Sequence, residues 1–324
     1  MKKFVYKCFS FVVIALISTW ALQQTVDFGL KRLNTHSATQ TSVSELLSDT
    51  LNADIVVMGN SRALCSYNPA ILEHTTGKKV WNIGVSGQPF GISYMRYQLY
   101  ALHNKKPQLV IINIDNNELD MIANGFGREE YYPYFSDSVI QSCFDLYGFT
   151  WKHKYIPMYK YFGDYKLIGY GVLSAAGIYP FPPQKHYHGF SNSNHVFDGE
   201  NMRNKLAADS LISVEHSEEA ICLLKRFIED SQRENIRLLF CYAPQYQELY
   251  KHLMLDSCMH VYKQMSEKYN IPLVDYSSVS WAGDSTYFYN ANHVNLHGSE
   301  VFSAYLAHDL DSLDCISPWS VYNR

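Results

Sequence analysis

The chain has 324 residues, of which 47% are hydrophobic and 18% charged, so general disorder is excluded and one large α/β domain with an insertion fits the length. Net charge is −4, from 27 basic and 31 acidic residues, and no long basic run occurs, which argues against a phosphate-tracking nucleic-acid surface. No two of the seven cysteines form a CxxC pair, so neither a structural zinc site nor a redox motif has support, and their wide spacing fits buried small hydrophobes better than a disulfide framework.

Lys2, Lys3 and Lys7 precede an apolar stretch from Cys8 to Leu22, the pattern of an export signal. Counted back to Phe4, with Lys7 snorkelling, the stretch reaches the roughly 20 residues that a spanning helix needs. Trp20, Leu22, Gln23 and Gln24 crowd the place where a small-x-small cleavage site belongs. The reading is therefore an uncleaved anchor over residues 1–25, N-terminus in the cytoplasm and the rest extracytoplasmic, that is, periplasmic. Residues 26–53 read as a helical connector.

Short apolar runs follow, each ending in polar residues: Asp54–Gly59, Val80–Val85 and Leu109–Asp115. These read as buried parallel strands with loops at their carboxyl ends, and a helix is expected from about Ile92 to His103. After the break come a helix over 218–234, a strand over 236–242, a helix near 247–269, a strand over 271–275 and a final helix from about His297 to Leu310. Strands alternating with helices predict a three-layer α/β/α domain around a parallel sheet, from residues 54–119 and 216–324. The interval 120–215 breaks the alternation and is rich in Tyr, Phe, Gly and Pro; it reads as an insertion or cap over the sheet edge. His186 and His188 lie there at a spacing that suits two ligands on one strand face, but with no obvious carboxylate or Cys partner no metal is assigned.

In such a sheet the site lies beyond the carboxyl ends of the strands. Four segments there carry chemistry. Ser61, in Gly59-Asn60-Ser61-Arg62, follows the first strand, where a hydroxyl is exposed and its own N–H can face an oxyanion. Gly84 and Gly87, after the second strand, permit close approach of a backbone N–H. Asn116 or Asn117, after the third, offers a side-chain amide donor. His293, in Asn290-Ala-Asn292-His293, stands before the last helix and titrates in the range a general base needs.

The order and placement of these segments resemble the SGNH/GDSL hydrolase superfamily, over roughly residues 54–119 and 218–310. The Gly-x-Ser-Arg turn, the Asn-x-Gly-x-x-Gly loop and the His-x-Asn-x-x-Gly ending resemble membrane-anchored members associated with cell-envelope polysaccharide and wall acylation. The resemblance implies a flavodoxin-like sheet, Ser61 as nucleophile, His293 as base, and an oxyanion hole from Ser61, Gly87 (or Gly84) and Asn116 (or Asn117), with no cofactor. Where the family carries the acid that orients the histidine, this chain has Asn290. An amide oxygen can accept the ring N–H but supplies no charge, and in a serine-protease triad the same exchange cost roughly 10⁴ in turnover. Three readings follow: a working Ser–His pair aided by Asn290, another acid such as Asp284, or a weakened enzyme. The expected activity is that of an O-acyl, above all acetyl, esterase or acyltransferase acting on extracytoplasmic glycans, alone or with a membrane acyltransferase as partner. The alternative is a glycan-binding or assembly factor on the same fold.

Overall fold

The computed structural model describes residues 1–115, 119, 127–198, 216–250 and 256–312. In chain order its elements are α1 (Lys2–His36), α2 (Val43–Leu46), β1 (Ile55–Met58), α3 (Ser61–Ser66), α4 (Pro69–Thr76), β2 (Val80–Asn82), α5 (Phe90–His103) and β3 (Leu109–Asn113). Three helices follow, α6 (Ser138–Leu146), α7 (Trp151–Tyr155) and α8 (Tyr165–Ala175). The chain continues with α9 (Glu218–Arg233), β4 (Arg237–Tyr242), α10 (Gln247–Tyr250), α11 (Asp256–Tyr269), β5 (Leu273–Asp275), β6 (Phe288–Asn290), β7 (His293–Val294) and α12 (Leu296–Ser312). They fall into two compact units: residues 1–38, 42–45 and 127–185, and residues 39–41, 46–126 and 186–324.

The second unit is a parallel sheet in the order β2-β1-β3-β4-β5. This is the flavodoxin-like doubly wound arrangement, whose order reverses between β1 and β3. β1 and β3 are buried along their whole length, as a central parallel strand must be when helices cover both faces. Alternate side chains divide between the faces. Ile55, Val57, Leu109, Ile111, Leu239 and Cys241 share a core with Tyr67, Leu72, Phe302 and Leu306 from the side of α3, α4 and α12. On the other side Phe240 meets Tyr262 of α11 edge-on at 5.1 Å, and Phe227 of α9 packs on Phe90, Tyr94 and Tyr97 of α5. The three-layer α/β/α fold read from the sequence is the fold of this unit.

Capping explains the boundaries of the shorter helices. Asn60 and Asn68 accept from Arg62 N and Ala70 N, Pro69 occupies the first turn of α4, and Gly77 closes it in the left-handed conformation. Ser217 caps α9, whose first turn carries Glu218 and Glu219. The open edge at β2 is met by the turn around His188, whose carbonyl accepts from Asn82 N at 2.9 Å.

In the first unit, α1 is one uninterrupted helix of 35 residues, so the expected anchor and residues 26–36 of the expected connector form a single rod. Its apolar N-terminal part is uncovered, and it is long and apolar enough to cross a membrane. Its C-terminal part is buried: Val26, Leu30 and Leu33 form a small core with Tyr161, flanked by Tyr132, Leu167, Ile168 and Tyr179. The crossing with α8 is made by glycines, since a Cβ on Gly29 would lie 1.7 Å from Gly171 O. Residues 127–185 of the aromatic interval therefore pack around the C-terminal half of α1, while residues 186–198 belong to the sheet unit. Cys65, Cys143, Cys241 and Cys258 are buried thiols.

Candidate active site

Ser61 is the first residue of α3, immediately past the carboxyl end of β1. Gly59 makes the bend: its φ of +142° is one that side chains disfavour, and a Cβ there would lie 3.0 Å from Ala63 Cβ and 3.1 Å from Asn113 Cβ. Asn60 then caps α3 through Arg62 N. The serine is thus fixed at the edge where the strand order reverses.

His293 reaches it from the other end of the chain. The short β6–β7 hairpin, with Asn290 paired to His293, lifts the ring to the same edge. His293 Nε2 lies 2.8 Å from Ser61 Oγ, and Nδ1 lies 2.9 Å from Asn290 Oδ1. Asn290 Oδ1 also accepts the backbone N–H groups of Asn292 at 2.9 Å and His293 at 3.0 Å. Two backbone donors therefore decide which atom of the amide faces the ring: it must be the oxygen. An oxygen opposite Nδ1 makes Nδ1 the protonated nitrogen and leaves Nε2 to accept the serine proton. Tyr289 stacks flat on the imidazole, with centroids 5.2 Å apart and planes 5° apart, and its hydroxyl meets Cys65 Sγ at 3.5 Å.

Burial pulls the His293 imidazole down to about 4; Asp115 opposes this and Arg62 adds to it. The ring is therefore neutral at ordinary pH, the state in which Nε2 can take a proton. Arg62, one residue after the serine, is buried. It donates to Ile114 O at 3.4 Å and to Ala243 O, stands 4.3 Å over the ring of Tyr242, and faces Asp115 at 3.9 Å. One guanidinium fork thus ties the start of α3 to the ends of β3 and β4. Behind the hairpin, Gln245 receives from Tyr242 OH at 2.7 Å and donates to Asn292 Oδ1 at 2.8 Å.

The other sequence candidates are disposed as follows. The Gly84 N–H is used internally by Asn82 Oδ1 at 2.9 Å, and a Cβ at Gly84 would lie 2.8 Å from Leu64 N, so this glycine serves packing against α3. Asn82 makes that packing, donating to Ala63 O and Tyr67 O at 2.8 and 3.2 Å. Gly87 is exposed with φ +68° in the turn after β2, and Val85 N bonds Gly59 O at 3.1 Å, so the two loops run side by side. Asn116 and Asn117 lie outside the described residues. Asp284 is exposed and its carboxylate accepts from Thr286 N and Oγ1 at 2.9 and 2.7 Å, which lowers its pKa; the acceptor on His293 Nδ1 is Asn290 instead. His186 Nδ1 accepts from Gly189 N at 2.7 Å and His188 Nδ1 faces Glu73 at 2.9 Å, so both rings are engaged in holding the turn at the β2 edge.

Arg62, Asp115 and Tyr289 carry no role in the sequence reading. Asp115 ends an apolar run and Arg62 follows the serine, which was a signal of position but not of partnership. Nothing in the sequence marks Tyr289 among 26 tyrosines.

No family model matches the chain, and no curated protein matches it in sequence. Among solved structures it is similar to a protein from Desulfitobacterium hafniense described as a lipolytic protein of the G-D-S-L family, at 13% identity and a TM-score of 0.39, over 78% of this chain and 97% of that one. It is also similar to a protein from Bacteroides fragilis described as an acylhydrolase, at 12% identity and a TM-score of 0.40, over 84% of this chain and 93% of that one. Likeness this distant says nothing about activity, which rests on the side chains.

Proposed function

We propose that the chain is a serine-dependent O-acyl esterase or acyltransferase, with an extracytoplasmic glycan ester as substrate and acetyl as the favoured acyl group. The observation that carries this reading is the unbroken line from Asn290 Oδ1 through His293 to Ser61 Oγ. In the proposed cycle Ser61 Oγ attacks the ester carbonyl as His293 Nε2 takes its proton. The oxyanion is held by the Ser61 N–H, which the first turn of a helix leaves without an intrahelical acceptor, by the Gly87 N–H and by the Asn116 amide. His293 returns the proton to the leaving alcohol, and water or a sugar hydroxyl then releases the acyl group from Ser61 with His293 again acting as base. The competition between those two nucleophiles sets hydrolysis against transfer. Asn290 orients the ring and fixes its tautomer, while low basicity of the buried imidazole keeps it neutral.

The apolar half of α1 supports a membrane-anchored protein with its N-terminus in the cytoplasm and its other residues outside it. That location suits a cell-envelope glycan, with a membrane acyltransferase as the partner that would supply acyl groups. The amide of Asn290 favours one second reading, a glycan-binding factor on the same fold with little turnover, because the imidazolium formed during catalysis would face an uncharged amide at Nδ1 in place of a carboxylate.

Fluorophosphonate labelling of the full-length protein, with Ser61→Ala as control, tests the proposal. Covalent adduct on Ser61, absent in the variant, together with acetate release from acetylated oligosaccharides, is the expected result. Failure of the wild type to label, with oligosaccharide binding retained, would establish the second reading.

A further inference from the structure

The helical unit exposes large apolar side chains in several places, and a group of them stands at one level of α1. Tyr155, Phe162 and Tyr165 are 76%, 84% and 77% exposed, and Trp20 is exposed as well. Their level can be read from two independent sets of contacts. First, α8 runs parallel to α1: Gly171 lies against Val26 and Gly29, and four residues further on Ala175 lies against Gly29 and accepts from Arg32 Nη1 at 3.2 Å. Both helices rise equally per residue, so Tyr165, six residues before Gly171, stands level with residues 20–23 of α1. Second, Met158 N donates to Gln23 Oε1 at 2.7 Å, and Lys160 and Tyr161 bond the Asp27 carboxylate. The segment from Tyr155 to Tyr165 is thereby fixed beside residues 20–27.

That level is where α1 changes character. Its apolar stretch ends at Leu22, and Gln23 and Gln24 follow with long polar side chains. In a spanning helix this is the boundary between hydrocarbon and headgroups, the zone that tyrosine and tryptophan prefer because their rings are apolar and their polar tips can stay wet. Exposed Lys152 and Lys166 lie beside the aromatic residues in sequence, and their ammonium groups suit lipid phosphates.

We propose that this aromatic face, built from Tyr155, Phe162 and Tyr165 with Trp20, is seated in the headgroup zone of the bilayer, so that residues 127–185 form a lipid-contacting collar around the exit of α1. The occupant is the phospholipid surface continuous with the span. The inference rests on the reading of α1 as membrane-spanning, and the experiment separates the two. The full-length protein is placed in nanodiscs of phosphatidylethanolamine and phosphatidylglycerol, with a benzophenone amino acid introduced in turn at positions 14, 102, 162 and 165. After irradiation, protein–lipid adducts are weighed by mass spectrometry. Position 102, occupied by the exposed Leu102 of the sheet unit, is the control. Lipid adducts at 162 and 165 several-fold above those at 102, with strong adducts at 14, are the expected result. Adducts at 14 but only control levels at 162 and 165 would overturn the collar and leave the span standing. Control levels at all four positions would overturn the span and the collar with it.

Discussion

Each compact unit buries a cation near a carboxylate: Arg62 with Asp115 in the sheet unit, 3.9 Å apart, and Lys160 with Asp27 in the helical unit, 2.9 Å apart. The two devices differ in how much they hold. Arg62 is planar, and its fork reaches two strand-end carbonyls and a tyrosine ring as well as the carboxylate, so its position is over-determined. Lys160 is a point charge held by Asp27 and by Tyr132 O at 2.6 Å. Burial pushes the Asp27 carboxyl up and the Lys160 ammonium down despite their attraction for one another. A buried pair whose desolvation outweighs its attraction selects one packing arrangement more than it adds stability, and the paired variants below test whether Asp27 and Lys160 behave so. The edge around Ser61 is built by a whole sheet; the segments around α1 are held by a small apolar core, a glycine crossing and a buried charge pair.

This contrast can be broken at several points, with effects that should shrink in order. His293→Ala removes the proposed base and should lower kcat/KM on p-nitrophenyl acetate by about 10³–10⁴ with the unfolding midpoint little changed. If the loss were under tenfold, the serine–imidazole line would not be catalytic. Asp27→Leu leaves a buried ammonium unpaired and should cost about 3–5 kcal/mol in urea unfolding of the helical unit, with esterase activity retained. Adding Lys160→Met should return more than half of that loss; a further fall would show that the pair is a net stabiliser.

Asn290→Asp sharpens the comparison from the other side, by placing a carboxylate against His293. In the wild type the acid limb of kcat/KM should lie near the imidazole value of about 4, rather than the ordinary 6.5, because only the neutral ring can accept the serine proton. Activity therefore stays level as pH falls towards that value and is lost below it. A carboxylate stabilises the imidazolium, so in Asn290→Asp the limb should move up in pH while the plateau rises about tenfold. A rate profile with an unshifted limb would place Asn290 away from the ring in solution. The smallest effect belongs to Tyr289→Phe, which keeps the stacked ring and loses the hydroxyl–thiol contact; about a twofold change in rate or less is expected.

Much of the sheet unit was legible because its central strands β1 and β3 are buried on both faces. Ile55-Val-Val-Met and Leu109-Val-Ile-Ile are continuous apolar runs, and each is closed by the polar residues that must lie at an exposed strand end. The runs were read longer than the strands: β2 stops at Asn82, whose side chain turns to α3, and β1 stops before Gly59 bends the chain. The helices of the aromatic interval were missed because Tyr- and Gly-rich sequence has weak helical preference, and their order comes from packing on α1. The continuity of α1 was missed for a related reason. Gln23, Gln24 and Asp27 interrupt the hydropathy, but Gln23 and Asp27 are spent on Met158, Lys160 and Tyr161.

By itself the sequence determined the alternation of strands and helices, the apolar terminus and the placing of Ser61 after a strand and His293 before the last helix, since these depend on local pattern and on which residues tolerate burial. Only the tertiary structure decided that the two residues meet at 2.8 Å, that Asn290 presents oxygen to the ring, and that Asp284 is spent on Thr286. Those outcomes depend on strand order and on backbone donors more than two hundred residues from the serine, and on the burial that sets the basicity of an imidazole. No local pattern in the chain encodes them.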